Sequence, residues 1–500
     1  GRRVVRAAGE FAAALASCQR EAANAFGRDR VLLERYIEQP RHIEFQIFGD
    51  AHGQIIHLNE RECSAQRRYQ KVLEETPSLA LDDALRKAMG AAAVAAGRAV
   101  GYVNAGTVEF ILGADGRFYF MEINTRLQVE HPVTECVTGL DLVEWQLRIA
   151  AGEPLPRAQE AIQSQGHAIE LRLYAEDAER GFMPGSGVLQ RLELPQAGDG
   201  VRVDAGVEQG DAVTVFYDPM IAKLIVHAAD RSAALAAMQR ALAACHVQGT
   251  ASNVDFLERL IAHPAVREAR IDTGYLDRHL DEFMQHPAQL PEEVIAAAAA
   301  LRLDQERQLA AEQARGSADP HSPWALADGW RIGQPGSQPL SLSWREQRCE
   351  LGIEGHADLF EFVIGGERRR VEVRARQIDS LTFSLDDQVH RIPARISGDD
   401  LLIHFQGQRF VIGTPPPFGF EAGASSAQDS LRAPMPGRVV QILVGPGDVV
   451  QAEQPLLVME AMKMELTLRA PAAGAVARIG AAIGDIVEAD ALLVKLEIAE

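Results

Sequence analysis

Residues 107–124 read TVEFILGADGRFYFMEIN, two apolar runs on either side of Asp115-Gly116. Asp-Gly between such runs signals a two-residue hairpin turn. That turn sets Ala114 opposite Arg117 and Leu112 opposite Tyr119, and brings Glu109 directly opposite Glu122. Side chains paired in this way have Cβ atoms about 5 Å apart, where two carboxylates repel. Glutamates so placed inside hydrophobic strands need a neutraliser. A divalent cation such as Mg²⁺ on oxygen ligands would serve; so would a raised carboxyl pKa or a nearby arginine.

The chain continues Glu122, Asn124, Arg126, Gln128, Glu130, with Met121, Ile123, Leu127 and Val129 between them. An extended segment puts all five polar groups on one face. Their types are those of a site: oxygen ligands in Glu122 and Asn124, an anion-binding guanidinium in Arg126, and in Glu130 a carboxylate able to act as a base. Upstream, Gln66-Arg-Arg-Tyr-Gln-Lys71 follows an alternating strand at 54–59. The formal charge of −20 argues against nucleic acid or an anionic membrane as partner. Phosphate or bicarbonate suits this basic run better.

Five scattered cysteines without CxxC spacing suit a reducing compartment and argue against a disulfide scaffold or zinc site. No apolar run approaches the roughly eighteen residues of a membrane span, and the opening GRRVVR has no apolar signal region. Residues 1–285 alternate helical and β-rich runs. A long helix is expected over 291–314, then short alternating strands from Trp324 to Ile412, such as Arg369–Arg376 and Leu401–Ile412. A mobile Pro, Gly, Ala and Ser-rich linker covers 414–430.

The last segment repeats itself. Arg432-Ala-Pro-Met-Pro-Gly437 aligns with Arg469-Ala-Pro-Ala-Ala-Gly474 at an offset of 37, and Gly447-Asp448 aligns with Gly484-Asp485. Two copies of a strand-turn-strand unit imply a small quasi-twofold sandwich. The connection between the halves, 461–468, carries Lys463 between Met462 and Met464. Most exposed lysines are only solvated charges, but large apolar neighbours at a hairpin tip indicate recognition by another protein. Lys463 is also one of only five lysines, against 50 basic residues in all.

Ala461-Met-Lys-Met464, downstream of Ala433-Pro-Met-Pro-Gly437, resembles the biotin carboxyl carrier domain. Glu34-Arg-Tyr-Ile37, Pro40-Arg-His-Ile-Glu44, and the runs Arg61 to Lys71, Met121 to Pro132 and His167 to Asp177 resemble the biotin carboxylase family of ATP-grasp enzymes. Together the resemblances cover nearly the whole chain and are those of acyl-CoA carboxylase alpha subunits. They imply a multidomain α+β protein. A partial ATP-grasp biotin carboxylase region would fill 1–285, and a helix-plus-antiparallel-barrel domain that docks a carboxyltransferase would fill 291–413. After the linker, an all-β biotinyl-type flattened barrel would fill 431–500.

Carried over residue by residue, the resemblance makes Glu109 and Glu122, assisted by Asn124, the holders of Mg²⁺ (or Mn²⁺) with ATP. Glu34, Arg35, Ile37 and Ile111 would line the adenine pocket, and His42 and Gln66 would face the ribose. Tyr69 would approach the phosphates, where many relatives carry His. Lys71, Arg126, Gln128 and the Val129 backbone would hold bicarbonate. Glu130 would deprotonate it for attack on the γ-phosphate, Arg172 would stabilise the biotin enolate, and Lys463 would carry the biotin.

The implied partners are a carboxyltransferase beta subunit, which brings the acyl-CoA, and a biotin protein ligase, in a hetero-oligomer. The implied compartment is a bacterial cytoplasm or, for a eukaryotic chain, the mitochondrial matrix. Leu142 to Glu153, Phe216 to Lys223 and the MKMELT run at 462–467 resemble the chains acting on 3-methylcrotonyl-CoA or geranyl-CoA more than those acting on propionyl-CoA or acetyl-CoA. A biotin carrier without its own catalysis is the alternative of another class. Residues 1–5 match the end of the family's glycine-rich ATP loop, so the chain is expected to be truncated. Alone, it is expected not to cleave ATP in response to bicarbonate and biotin.

Overall fold

The computed structural model describes residues 3–497 apart from 69, 215–216, 324–336, 346, 365, 416–429, 434–436, 462–463 and 488–490. Tyr69, Lys463 and nearly all of the expected linker therefore lie outside the described residues. The chain forms two compact units, Gly1–Gln165 with Ile271–Arg278, and Gly166–Arg270 with His279–Glu500.

The first unit opens with helix α1 (Phe11–Phe26), closed by Gly27 in the left-handed region, φ 67°. Its sheet contains β1 (Arg41–Gly49), β2 (Ile55–Arg67), β3 (Gln70–Thr76), β4 (Asn104–Leu112) and β5 (Phe118–Asn124), in the order β3-β2-β1-β4-β5. Helix α2 (Asp83–Ala99) starts on Asp82, whose carboxylate accepts from the Leu85 N–H at 2.7 Å. Strand alternation sorts the faces. Ile43, Phe45 and Ile47 of β1 and Val108, Phe110 and Leu112 of β4 pack with Met89 and Ala93 of α2. His42, Glu44 and Gln46 therefore point to the opposite face.

The β4–β5 hairpin does pair Glu109 with Glu122, though by another route than a two-residue turn. The Gly113 N–H donates to the Arg117 carbonyl at 2.9 Å, so the turn has three residues, Ala114, Asp115 and Gly116. Gly116 takes φ 75°, the left-handed position of that turn, and Asp115 Oδ1 accepts from the Arg117 N–H. Leu112 thus faces Phe118, and Tyr119 faces Ile111. A bulge between the Phe110 and Glu109 levels absorbs the extra residue and restores the glutamate pairing.

The extended reading of 122–130 also needs correction. β5 ends at Asn124, and the His131 N–H donates to the Gln128 carbonyl at 3.3 Å to open helix α3 (His131–Thr138). Pro132 in the first turn of α3 favours that early start.

In the second unit, β6 (His167–Tyr174) pairs antiparallel with Met220–Ala228, which pairs with Val201–Ala205. Farther on, the expected long helix runs Glu292–Arg315, and Val294 to Ala300 are buried along it. Eight strands from Ser337–Trp344 to Gln408–Ile412 follow, each hydrogen-bonded to the next. Backbone bonds between Ser343 and Gly413, at 2.8 and 2.9 Å, tie the two ends of the meander together. A Cβ on Gly413 would stand 2.7 Å from Ser343 Oγ, so that hydroxyl would have to turn away. The stretch read as one strand, Leu401–Ile412, is two strands parted by a turn at Gln406-Gly407.

The C-terminal region forms two four-stranded sheets. Gly437–Ile442 in one matches Gly474–Ile479 in the other, 37 positions on, and Val449–Val450 matches Ile486–Val487. Even a turn is duplicated. Asp448 accepts from the Gly445 N–H at 2.7 Å, and Asp485 from the Ala482 N–H at 2.8 Å. Pro455–Ala461 pairs with Met464–Arg469, Ala461 opposite Met464.

Candidate active site

Strand register lines up four ionisable residues across the first unit. Arg61 on β2 is opposite Glu44 on β1, Glu44 is opposite Glu109 on β4, and Glu109 is opposite Glu122 on β5. Three carboxylates in one row on adjacent strands would repel strongly. Arg61 at one end and Lys71 above offset them. Lys71 Nζ lies 2.6 Å from Glu44, 2.6 Å from Glu130 and 3.3 Å from Glu109.

Arg61 is fully buried, and its guanidinium is saturated by the fold. It donates to Glu44 at 2.6 Å, to Gln46 and Gln128 at 2.9 Å, to Thr134 at 3.0 Å and to Thr107 at 3.2 Å. Gln128 passes the chain on, donating from Nε2 to Glu109 at 3.0 Å. His42 Nε2 is 3.3 Å from the other Glu109 oxygen. Glu109 thus accepts from a lysine and an amide, with the His42 ring beside it.

The electrostatics follow from this geometry. Burial alone would push the Glu44 carboxyl up, but the Lys71 ammonium and then Arg61 hold it down at about 2. Burial likewise opposes ionisation of Glu109, and the adjacent His42 ring together with the Lys71 charge holds it at about 2. Burial disfavours the Lys71 ammonium, yet Glu44, with Cys63, Glu130 and Glu109, raises its pKa above the ordinary lysine value. Among the described residues, the cluster sets three buried carboxylates, Glu44, Glu109 and Glu130, around the one ammonium of Lys71.

Of the residues expected to hold bicarbonate, Lys71 and Gln128 meet here, with the proposed base Glu130 buried beside them. Val129 is half-buried in the turn before α3. Arg126 is exposed, and its guanidinium donates to the Leu127 carbonyl at 3.3 Å. Gln66 is buried opposite Lys71 across the β2–β3 hairpin, so the run read as a basic patch is a hairpin end with its first residues inside.

In the expected adenine region, Ile111 lies between His42 on β1 and Tyr119 on β5. Arg35 caps the group, 3.1 Å from the Tyr119 hydroxyl and over its ring. Ile37 is half-buried near Gly113, and Glu34 is exposed. Glu122 is exposed at the end of the ionic row, and Asn124 follows on the same strand face. The Asn124 amide nitrogen is buried with no hydrogen-bond partner among the described residues, a donor that an acceptor such as a phosphate oxygen would satisfy. Oxygen donors from Glu109, Glu122 and Asn124 fit the ligand chemistry of Mg²⁺.

Arg172 is half-buried on β6 of the second unit, opposite Lys223. The residues that the sequence reading left without a role are Glu44 and Arg61. Their signal was present in β1, where His42, Glu44 and Gln46 alternate with Ile43, Phe45 and Ile47.

Four family patterns match the chain in order. They are the carbamoyl-phosphate synthase L chain ATP binding domain at 1–158, the biotin carboxylase C-terminal domain at 170–278, the methylcrotonyl-CoA carboxylase alpha-subunit BT domain at 291–416, and the biotin-requiring enzyme domain at 429–496. The mitochondrial methylcrotonoyl-CoA carboxylase subunit alpha of Dictyostelium discoideum is 41% identical over 480 residues, 93% of this chain and 68% of that protein. Its counterpart from Mus musculus is 41% identical over 472 residues, 93% of this chain and 66% of that one. The chain therefore spans about two thirds of the length of these relatives.

Among solved structures, the biotin carboxylase domain of Hydrogenobacter thermophilus 2-oxoglutarate carboxylase, in complex with MgADP, ADP and bicarbonate, superposes with a TM-score of 0.53 at 44% identity. That match covers 57% of this chain and 63% of the other. Biotin carboxylase from Campylobacter jejuni, in its β,γ-ATP complex, gives 0.52 at 42% identity over 55% and 61%. With the four domains in order and these identities, the chain belongs to the biotin-dependent acyl-CoA carboxylase alpha subunits, the family that includes the methylcrotonoyl-CoA carboxylase alpha subunits.

Proposed function

We propose that this chain carboxylates biotin attached at Lys463, using ATP and bicarbonate, and hands the CO₂ to a carboxyltransferase beta subunit for 3-methylcrotonyl-CoA. The observation that carries the proposal is the buried Lys71–Glu130–Glu44–Glu109 array beside Gln128. Glu130 is in this array a buried carboxylate 2.6 Å from a hydrogen-bond donor, a base placed to take the proton that bicarbonate carries.

In this reading Lys71, Arg126, Gln128 and the Val129 backbone bind bicarbonate, and Glu130 takes its proton. Glu34, Arg35, Ile37, His42, Gln66, Tyr69 and Ile111 bind the nucleotide. Glu109, Glu122 and Asn124 hold Mg²⁺ (or Mn²⁺), which offsets the phosphate charge. Glu44 and Arg61 keep Lys71 and Gln128 in place. Arg172 faces the biotin ureido group, whose nitrogen accepts CO₂ and carries it between sites. A biotin protein ligase loads Lys463. In this reading the labour divides over 1–285, 291–413, the linker 414–430 and 431–500.

The same reading places the chain in a bacterial cytoplasm or in the mitochondrial matrix; among the described residues no helix is long and apolar enough to cross a membrane. The test is the full-length alpha subunit assembled with its beta subunit and offered 3-methylcrotonyl-, geranyl-, propionyl- and acetyl-CoA. Highest kcat/KM on 3-methylcrotonyl-CoA supports the proposal, and preference for propionyl-CoA overturns the substrate assignment.

A further inference from the structure

Asn253 occupies the N-cap of the helix Val254–Ala262, where an asparagine ordinarily gives its side-chain oxygen to an N–H of its own helix. It makes no such bond. Its Oδ1 instead accepts from the Tyr174 N–H at 2.9 Å, and its Nδ2 donates to the Arg172 carbonyl at 3.1 Å. The Asn253 backbone N–H donates to the Tyr174 carbonyl at 3.1 Å. Three hydrogen bonds from one buried residue thus bracket the last turnover of β6, from Arg172 to Tyr174.

That stretch needs such support. The register between β6 and Met220–Ala228 slips between Met220 and Ala222, beside Tyr174 and Leu173, so the regular ladder is interrupted at this level. The loop that delivers Asn253 has no slack either. A Cβ on Gly249 would stand 2.1 Å from the Val188 carbonyl oxygen, and one on Gly185 would stand 2.6 Å from Thr250 Oγ1.

We propose that Asn253 is a positioning residue for Arg172, its amide fixing the backbone of the strand that carries the guanidinium. The proposal rests on the reading of Arg172 as the group that faces biotin. A strand end free to shift would leave ATP cleavage intact in the other unit's residues while misplacing the group that receives CO₂.

The test uses Asn253→Ser and Asn253→Asp in the full-length alpha subunit assembled with its beta subunit, with ADP release and carboxylated acyl-CoA measured in parallel. Serine remains a good N-cap but is too short to bridge both backbone groups; aspartate keeps the acceptor and loses the donor. The expected result is a roughly tenfold or greater fall in product formed per ATP cleaved, at unchanged KM for ATP, since small misplacements carry penalties of that order. Wild-type coupling in Asn253→Ser overturns the proposal, as does a parallel loss of ADP release and product. If Asn253→Asp fails to assemble, Asn253→Ser decides. Arg172→Ala separates the two ideas: if it leaves coupling intact, the reading of Arg172 itself fails, whereas uncoupling in Arg172→Ala alone counts against Asn253 only.

Discussion

Arg61 donates to Glu44 at 2.6 Å, and neither side chain has any solvent exposure. A buried pair gives little net stability over an apolar substitute, but removing one member strands the other charge, at about 3–5 kcal/mol. Arg61→Met is therefore expected to destabilise the first unit by about that much, because Gln46, Gln128, Thr107 and Thr134 also lose a donor. Urea unfolding of the variant against the parent checks it.

Glu130→Gln keeps the shape of the side chain and removes its basicity. Bicarbonate-dependent ADP release is expected to fall by about 10²–10⁴-fold, the usual worth of a positioned base, with KM for ATP little changed. Steady-state assays of the full-length alpha subunit at saturating bicarbonate measure it.

Glu122→Gln and Asn124→Ala are expected to raise the Mg²⁺ concentration needed for half-maximal ADP release, with melting behaviour unchanged, because neither residue is part of the buried ionic network around Lys71. Titration of Mg²⁺ at fixed ATP in the full-length alpha subunit separates this from a folding defect.

Glu258 joins the helix Val254–Ala262 to the barrel strand Gln408–Ile412 through Arg409, at 2.9 and 3.0 Å, and to the neighbouring strand Asp400–Phe405 through His404 at 3.1 Å. Burial would raise its pKa, but Arg409, aided by His404, lowers it from 4.5 to about 2. A depressed carboxyl pKa contributes stability that is complete above the unfolded value and declines as pH falls through 4.5 towards 2. The second unit should lose stability across that window, and Glu258→Gln should show a shallower acid limb from a lower starting point. Thermal melts between pH 7 and pH 3 read both slopes.

Lys463→Arg should abolish avidin binding after co-expression with a biotin ligase while leaving carboxylation of free biotin intact. A blot and a free-biotin assay on the full-length subunit test the two halves of that statement.

Much of the site could be read from residues alone, with instructive failures. Opposing Glu109 and Glu122 needed only the parity of a hairpin, and a bulge compensated for the wrong turn length. Asp-Gly satisfies two-residue and three-residue turns alike, so the sequence does not choose between them. Glu44 escaped assignment because its strand looks half solvated. Only the order β2-β1-β4 covers that face with Arg61, Lys71 and α3, and strand order depends on contacts remote in sequence. The end of β5 at Asn124 was hidden by the continuing alternation, although Pro132 marked the start of a helix. The 37-residue duplication transferred directly, because hydrogen-bonded turns at Asp448 and Asp485 are set by local sequence.

The helix Glu292–Arg315 precedes every strand of the meander that follows it, and Ala296 to Ala300 are buried in its first half. During synthesis the helix emerges first, and each strand then needs to pair only with the one made just before it. Alanine keeps the rod narrow, so its width limits the circumference that the wrapping strands can adopt. The bore of this region is gauged by a helix already made when the first hairpin forms.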